Sequence, residues 1–229
     1  MTLMTQSTAL PPFEGILFDM DGLVLDSEKT YVRAWQSAAK ALGRTLETEV
    51  AEGLFGMHAD DVARLLGEAL GPGFDRRQFF EVAETFWFEG LEAEGMPKMP
   101  GFDALATWLR AEKIPFALAT NSDRHYAERC LLAAGLEGVF EVFVTRDQVS
   151  AGKPAPDLFL EAARKIGCSP ESCLVLEDSE TGLQAARAAG THPVLIQQRP
   201  ALRDKLSPLA SQVFPDLQAF LIALSTQRP

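Results

Sequence analysis

Cysteine, histidine and positive charge are all scarce in this chain. Its 229 residues hold three cysteines, Cys130, Cys168 and Cys173. That odd number lacks paired metal-type spacing, so neither a disulfide framework nor a zinc site is indicated. The thiols read as small core residues in a reducing compartment. The three histidines, His58, His125 and His192, are isolated from one another, and each reads first as an ordinary surface or core side chain. Twenty-one Lys and Arg stand against 32 Asp and Glu, a net charge of −11. Such a surface argues against nucleic acid or an anionic membrane as the main partner. No stretch approaches the roughly 18 apolar residues of a membrane span, and Met1 to Pro12 has neither the basic start nor the apolar run of a signal peptide. A disordered leader at 1–12 and a cytoplasmic, soluble protein are therefore expected. The sequence sets no oligomeric state, and a monomer is compatible with it. Internal repeats and low-complexity tracts are also missing.

What is present is the composition of an ordinary globular chain, 47% hydrophobic and 23% charged, long enough to bury a full core without staples. The pattern changes rhythm twice. Ile16-Leu17-Phe18 is a short apolar run of the buried-strand kind. Between Lys29 and Glu94 the apolar residues fall at helical spacing: Trp35, Ala38, Ala39 and Leu42, then Val62, Leu65, Leu66 and Ala69, then Phe79, Val82, Ala83, Phe86, Trp87 and Leu91. Nothing there resembles a strand. After the Gly- and Pro-rich break at 95–101, helix and strand alternate. Helices are expected at 102–112, 126–134, 156–166, 182–189 and 216–224, and strands at 115–120, 142–144, 173–176 and 193–196. Alternation of this kind predicts an α/β fold, a doubly wound parallel sheet with a Rossmann-like core. The helical block interrupts that sheet after its first strand. The expected division is a core of 13–27 with 97–229 and an inserted helical cap of 28–96.

Chemistry collects where the strands stop. The first ends in Asp19 and Asp21, two carboxylates two residues apart and so on one face of an extended chain, with Gly22 freeing the turn behind them. The second ends in Thr120-Asn121-Ser122, the fourth in Glu177-Asp178-Ser179, and Lys153 lies between them in Gly152-Lys153-Pro154. In a parallel sheet these ends share one rim, where open α/β folds bind ligands. Asp19, Asp21 and Asp178 offer hard oxygen ligands suited to Mg²⁺, while Thr120, the backbone donors after it and Lys153 offer hydrogen bonds to phosphate oxygens. Each segment also has a bland reading. Lys153 could be a solvated loop lysine. Glu177 and Asp178 could serve the N-terminus of the following helix, and Thr120-Asn121-Ser122 could be a cap.

Four segments in order carry a resemblance: Asp-x-Asp-Gly-x-x-x-Asp-Ser from Asp19, Ala-Thr-Asn-Ser from Ala119, Gly-Lys-Pro-Ala-Pro-Asp from Gly152, and Glu-Asp-Ser-x-x-Gly from Glu177. Together with the opening strand they span residues 16–190, and the chain resembles the haloacid dehalogenase-type phosphohydrolases. Within them it is most similar to the subgroup containing β-phosphoglucomutase and small sugar-phosphate phosphatases. The resemblance implies that Asp19 is a nucleophile forming a phosphoaspartate and Asp21 a general acid/base. It implies that Thr120 and Lys153 hold the transferring phosphoryl group, with Gly22, Asn121 and Ser122 beside the substrate. It implies a Mg²⁺ site from Asp19, Asp21 through its backbone carbonyl, Asp178 and Glu177, the last directly or through water. The helical insert would then be a mobile cap, and His58 in Phe55-Gly56-Met57-His58 is its candidate substrate contact.

The expected activity is a Mg²⁺-dependent phosphatase acting on a small phosphorylated metabolite, such as a sugar or polyol phosphate. The alternative is a sugar-phosphate mutase, and more remotely a non-catalytic phosphometabolite-binding protein. Mutases of this type carry a His ten residues past the second aspartate, where this chain has Tyr31, and an Arg three residues past the cap-loop glycine, where it has Ala59. Without that Arg the second phosphate of a bisphosphate lacks its bidentate partner.

Overall fold

The computed structural model describes residues 10–54 and 59–227. The loop at 55–58, including His58, lies outside the described residues, as does the leader through residue 9. The leader expected through Pro12 falls in part among the described residues, where the Leu10 side chain is buried and the Leu10 N–H donates to Gln227 Oε1 at 3.2 Å.

The chain divides into two compact units, Met1–Leu25 with Lys98–Pro229, and Asp26–Pro97. In the first, six strands form one parallel sheet: β1 (Gly15–Phe18), β2 (Phe116–Ala119), β3 (Val142–Val144), β4 (Cys173–Glu177), β5 (His192–Ile196) and β6 (Gln212–Phe214). Their order is β3-β2-β1-β4-β5-β6. Chain direction across the sheet therefore reverses at β1, which is flanked by β2 and β4. The helices of this unit are α5 (Phe102–Ala111), α6 (Arg124–Ala133), α7 (Asp157–Ile166), α8 (Glu180–Ala188), α9 (Pro200–Leu206) and α10 (Leu217–Gln227). The second unit carries the helices α1 (Ser27–Ala41), α2 (Thr48–Glu52), α3 (Ala59–Leu70) and α4 (Arg76–Glu94).

Burial explains the central strands. Every residue of β1 and β4 is buried, as a strand covered on both faces requires. On one face Phe18 meets Phe102, Phe116 and Phe140 edge-on, with ring centroids 6.0, 6.0 and 5.9 Å away. Edge-to-face geometry suits the aromatic quadrupoles and fills the space between sheet and α5. On the other face Leu17, Ala117 and Val175 pack with Leu158, Phe159 and Ala162 of α7 and Ala185 of α8. The register sets Phe18 beside Leu118 and Leu176, so β1, β2 and β4 end nearly level. Whatever follows these three strands is delivered to one place.

The helical unit has its own core of Val32, Trp35, Leu66, Phe79 and Ala83. Tyr31 stacks on Trp87 at 5.6 Å, and Trp87 Nε1 donates to Thr30 Oγ1 at 2.9 Å, joining α1 to α4. Asp75 caps α4 by accepting from the Gln78 N–H at 3.0 Å. Arg44 closes the α3–α4 turn by donating to the carbonyls of Leu70 and Pro72.

Three elements have no counterpart in the periodicity: α2, α9 and the edge strand β6. α2 and β6 are five and three residues long, too short for a repeat to show, and α9 begins at Pro200 in a polar stretch.

Because Phe102 is fully buried between Phe18 and Phe140, Phe102→Ala leaves a cavity beneath the sheet. Urea denaturation is expected to show a loss of about 3–5 kcal/mol.

Candidate active site

Asp19 follows β1 directly, and its N–H still donates to the Leu176 carbonyl at 3.1 Å. The chain then turns at once. The N–H groups of Val24 and Leu25 return to the Met20 carbonyl at 2.9 Å each, and the Gly22 N–H bonds the Leu25 carbonyl at 2.8 Å. Gly22 sits at a φ of +81°, and a Cβ there would strike Asp178 Oδ2. Only a glycine gives both the turn and the close approach of the Asp178 carboxylate to this loop.

Lys153 is the centre of charge. Its residue is 8% exposed, Asp19 9% and Glu177 0%, so the ammonium lies in a largely dry setting. Nζ pairs with Asp19 Oδ1 and with Glu177 Oε1, the latter at 2.6 Å. It also stands 4.8 Å from the centre of the Phe159 ring. Burial alone would lower the lysine, but Asp19 and Glu177 outweigh it and hold the ammonium well above the ordinary lysine range. Burial drives the Asp19 carboxyl up to about 7 despite the neighbouring Lys153, and the charges of Glu177 and Asp21 add to the rise. The ammonium thus pairs with two of the four carboxylates at this rim, Asp19 and Glu177.

Glu177 is held from the far side as well. Its Oε2 accepts from Ser179 Oγ at 2.9 Å and from the N–H groups of Asp178 and Ser179 at 3.2 and 3.3 Å. Ser179 in turn caps α8, accepting from the Gly182 N–H at 3.1 Å. Gly182 lies so close that a Cβ would overlap the Glu177 carboxylate. Capping and charge placement are therefore one arrangement.

Asp21 has different company. Its residue is partly exposed, and it accepts from Ser122 Oγ at Oδ2, 3.0 Å, and from the Tyr126 hydroxyl at Oδ1, 3.2 Å. Thr120 is buried and its Oγ1 accepts from the Ser122 N–H at 3.0 Å, which leaves the hydroxyl proton for another acceptor. Asn121 behaves differently from the expected substrate contact. Its Oδ1 accepts from the Lys153 N–H at 2.8 Å and its Nδ2 donates to the Lys153 carbonyl at 3.2 Å. Both ends of the amide are engaged by the backbone of the lysine.

The structure thus brings Asp19, Asp21, Gly22, Thr120, Asn121, Ser122, Lys153, Glu177 and Asp178 to one rim, and His58 lies outside the described residues. Two contributors were not read from the sequence. Tyr126 sits in the first turn of α6, four residues past Ser122, and spacing alone does not show that its ring turns back to Asp21. Gln197 is buried after β5 and donates from Nε2 to the Asp178 carbonyl at 3.2 Å. A polar residue ending an apolar strand beside β4 was the available signal.

A divalent cation suits this donor set. Ligand atoms of Asp19, Glu177 and Asp178 lie within 4.8 Å of one another, all are hard oxygens, and burial, with the charges of Glu177 and Asp21 adding to it, lifts the Asp19 carboxyl. Mg²⁺ takes one or two carboxylates with water completing its shell. Asp19 and Asp178 fit that need best. Direct ligation by Glu177 would compete with Lys153 and Ser179.

Known proteins agree with this geometry. A family profile described as haloacid dehalogenase-like hydrolase matches residues 13–190. The chain is 33% identical to fructose-1-phosphate phosphatase YqaB of Escherichia coli over 186 residues, covering 80% of this chain and 95% of that one. It is 34% identical to hexitol phosphatase A of the same organism over 183 residues, covering 80% and 82%. Among solved structures, a HAD-family hydrolase from Deinococcus radiodurans R1 with bound phosphate and sodium superposes with a TM-score of 0.79 at 32% identity, covering 94% of this chain and 96% of that one. With its strand order, its rim of acids around a buried lysine and a profile match across most of its length, the chain belongs to the haloacid dehalogenase-like hydrolases.

Proposed function

We propose that the protein is a Mg²⁺-dependent phosphatase that hydrolyses a small phosphorylated metabolite, a sugar or polyol phosphate, through an aspartyl phosphate on Asp19. One observation carries this reading. Two carboxylates two residues apart are placed in opposite environments, Asp19 buried against Lys153 and Asp21 partly exposed under two hydroxyls. Like groups kept apart in this way can divide acid/base and nucleophilic work.

In the first half-reaction an Asp19 oxygen attacks phosphorus and the bond to the ester oxygen breaks, while Asp21 gives a proton to that leaving oxygen. In the second, water attacks the phosphoaspartate, Asp21 takes its proton, and inorganic phosphate departs as Asp19 is regenerated. Lys153 and the Thr120 hydroxyl hold the phosphoryl oxygens through both. Asn121 keeps Lys153 in place through its backbone, and Glu177 does so through its side chain. Asp19, Asp178 and the Asp21 carbonyl would hold Mg²⁺, which when bound neutralises charge on the phosphoryl group. The helical unit would act as the cap, with His58 as its substrate contact. The cytoplasmic setting belongs to the same reading, on Cys130, Cys168 and Cys173, which are all free thiols.

A mutase is less well supported. Tyr31, at the position of the mutase histidine, is engaged with Trp87 inside the helical unit, and the E. coli relatives are a sugar-phosphate and a hexitol phosphatase.

Release of inorganic phosphate from hexose and polyol phosphates is expected to require Mg²⁺. Asp19→Asn is expected to lower kcat by at least about 10³-fold, since the nucleophile itself is lost. Lys153→Met is expected to lower it by at least about 10²-fold. Isomerisation of a hexose 1-phosphate in the presence of catalytic bisphosphate, without hydrolysis, would favour the mutase. No turnover of any ester by a clean preparation would leave a binding protein.

The raised Asp19 carboxyl sets a pH dependence for chelator-treated protein. The folded chain holds this proton up to about 7, whereas the unfolded carboxyl releases it near its ordinary 3.8. The folded state therefore binds more protons in that window, and stability falls as pH rises through it. Thermal melting is expected to drop between pH 5 and pH 8 without metal. Added Mg²⁺ should raise the Tm more at pH 8 than at pH 5. Asp19→Asn should flatten both trends, and an unchanged slope in that variant would remove the carboxyl from the explanation.

A further inference from the structure

We propose that Tyr126 is a positioning residue that, with Ser122, fixes the plane of the Asp21 carboxyl so that its proton reaches the leaving oxygen. This rests on Asp21 acting as the acid/base of the proposed phosphatase.

The last torsion of an aspartate is broad and roughly two-fold, so a carboxyl group left to itself has no preferred plane. Proton transfer requires one, because the acid must come within about 2.6–3.2 Å of the accepting oxygen. Here each carboxyl oxygen has its own donor: Ser122 Oγ serves Oδ2 and the Tyr126 hydroxyl serves Oδ1. Two donors on two oxygens define the plane as one donor cannot.

Both donors are themselves held. The Ser122 N–H donates to Thr120 Oγ1, and its carbonyl accepts from the Arg146 N–H, each at 3.0 Å. Tyr126 is anchored by the cap of α6, where Asp123 Oδ1 accepts the Tyr126 N–H at 2.9 Å. A functional group supported in this way keeps its geometry better than one on a free loop. Cys130, one turn along α6, is buried. Burial, helped by the charge of Asp21, pushes its thiol up to about 12. Ser122 follows β2 and Tyr126 lies on α6, so the proton donor of β1 is oriented by the next βα unit.

The role predicts a dependence on the leaving group. A nitrophenolate departs without a proton, whereas the alkoxide of a polyol is far more basic and needs one. The experiment compares kcat/KM, which reports transfer to Asp19, for p-nitrophenyl phosphate and glycerol phosphate in wild type and Tyr126→Phe. The variant keeps the ring and loses only the hydroxyl. About tenfold loss is expected with glycerol phosphate, less than the roughly 10²–10⁴-fold that a positioned acid contributes because the variant misaligns Asp21 without removing it, and less than about twofold with the aryl ester. Ser122→Ala should show the same selectivity and Ser122→Thr, which keeps a hydroxyl, should restore it; this pair carries the test if Tyr126→Phe does not fold. Equal losses on both esters would show a merely structural tyrosine, and no loss on either would show an idle one; both overturn the proposal. Wild-type protein inactive on every ester would overturn the phosphatase reading first, an outcome distinct from an active enzyme whose variant is blind to the leaving group.

Discussion

A buried ammonium between two buried carboxylates is the constraint on which the rim depends. Isolated, Lys153 would shed its proton rather than stay charged in so dry a place. Between Asp19 and Glu177 it stays charged, and each group makes the others tolerable. Removing one partner leaves a buried charge without compensation, which costs far more than the pair gains over an apolar substitute. The surrounding residues serve this triad. Ser179 and two backbone N–H groups hold Glu177, the Gly182 position leaves room for it, and Asn121 fixes the lysine from behind. In a chain of net charge −11, this is how a point of positive potential is made where a phosphoryl group would sit.

The triad also explains why one aspartate differs from the other. Asp19 and Asp21 are two residues apart and chemically identical, yet the turn at Gly22 carries the second out of the dry zone. Its partners become neutral hydroxyls on β2's following loop and on α6. A buried carboxyl beside an ammonium, once a bound cation adds to the positive charge around it, would be suited to attack. One that meets hydroxyls and solvent is suited to pass a proton in both directions. The clustered carboxylate oxygens of Asp19, Glu177 and Asp178 have a further consequence, because they form a donor set that would suit a divalent cation.

Much of this was legible in the sequence because strand ends in a parallel sheet are topologically bound to share a rim. The apolar run before Asp19, the polar residues after Ala119 and those after Leu176 therefore located the acids and the hydroxyls without coordinates. Roles that depend on side-chain direction were less accessible. Asn121 reads as a substrate contact from its place in Thr120-Asn121-Ser122, yet its amide is turned onto the Lys153 backbone, a partner 32 residues away. Tyr126 reads as an ordinary residue of an amphipathic helix, because its reach across to Asp21 is a tertiary fact. Gln197 is similar, being a single polar residue whose partner is a backbone carbonyl on the neighbouring strand's loop. Elements such as α2 and β6 escaped for a simpler reason, since three to five residues cannot display a period.

In the proposed mechanism the choice between water and a sugar hydroxyl as phosphoryl acceptor would rest on residues outside the triad of Lys153, Asp19 and Glu177, which would serve either. Water would require nothing beyond Asp21, being small enough to approach a phosphoaspartate on Asp19 wherever a proton acceptor is aimed at it. A sugar acceptor already carrying a phosphate requires a second anion site and a group to release and retake the sugar. At the position where mutases place a histidine, this chain has an aromatic ring stacked against Trp87 and close to Trp35. Its main work is to join α1 to α4, and withdrawing it would open the unit's core. At the position of the bisphosphate-binding arginine it has alanine, which offers a phosphate no charge and no fork of donors. Both departures remove what a second sugar phosphate would need, and neither affects hydrolysis. The balance of physical requirements therefore falls on water.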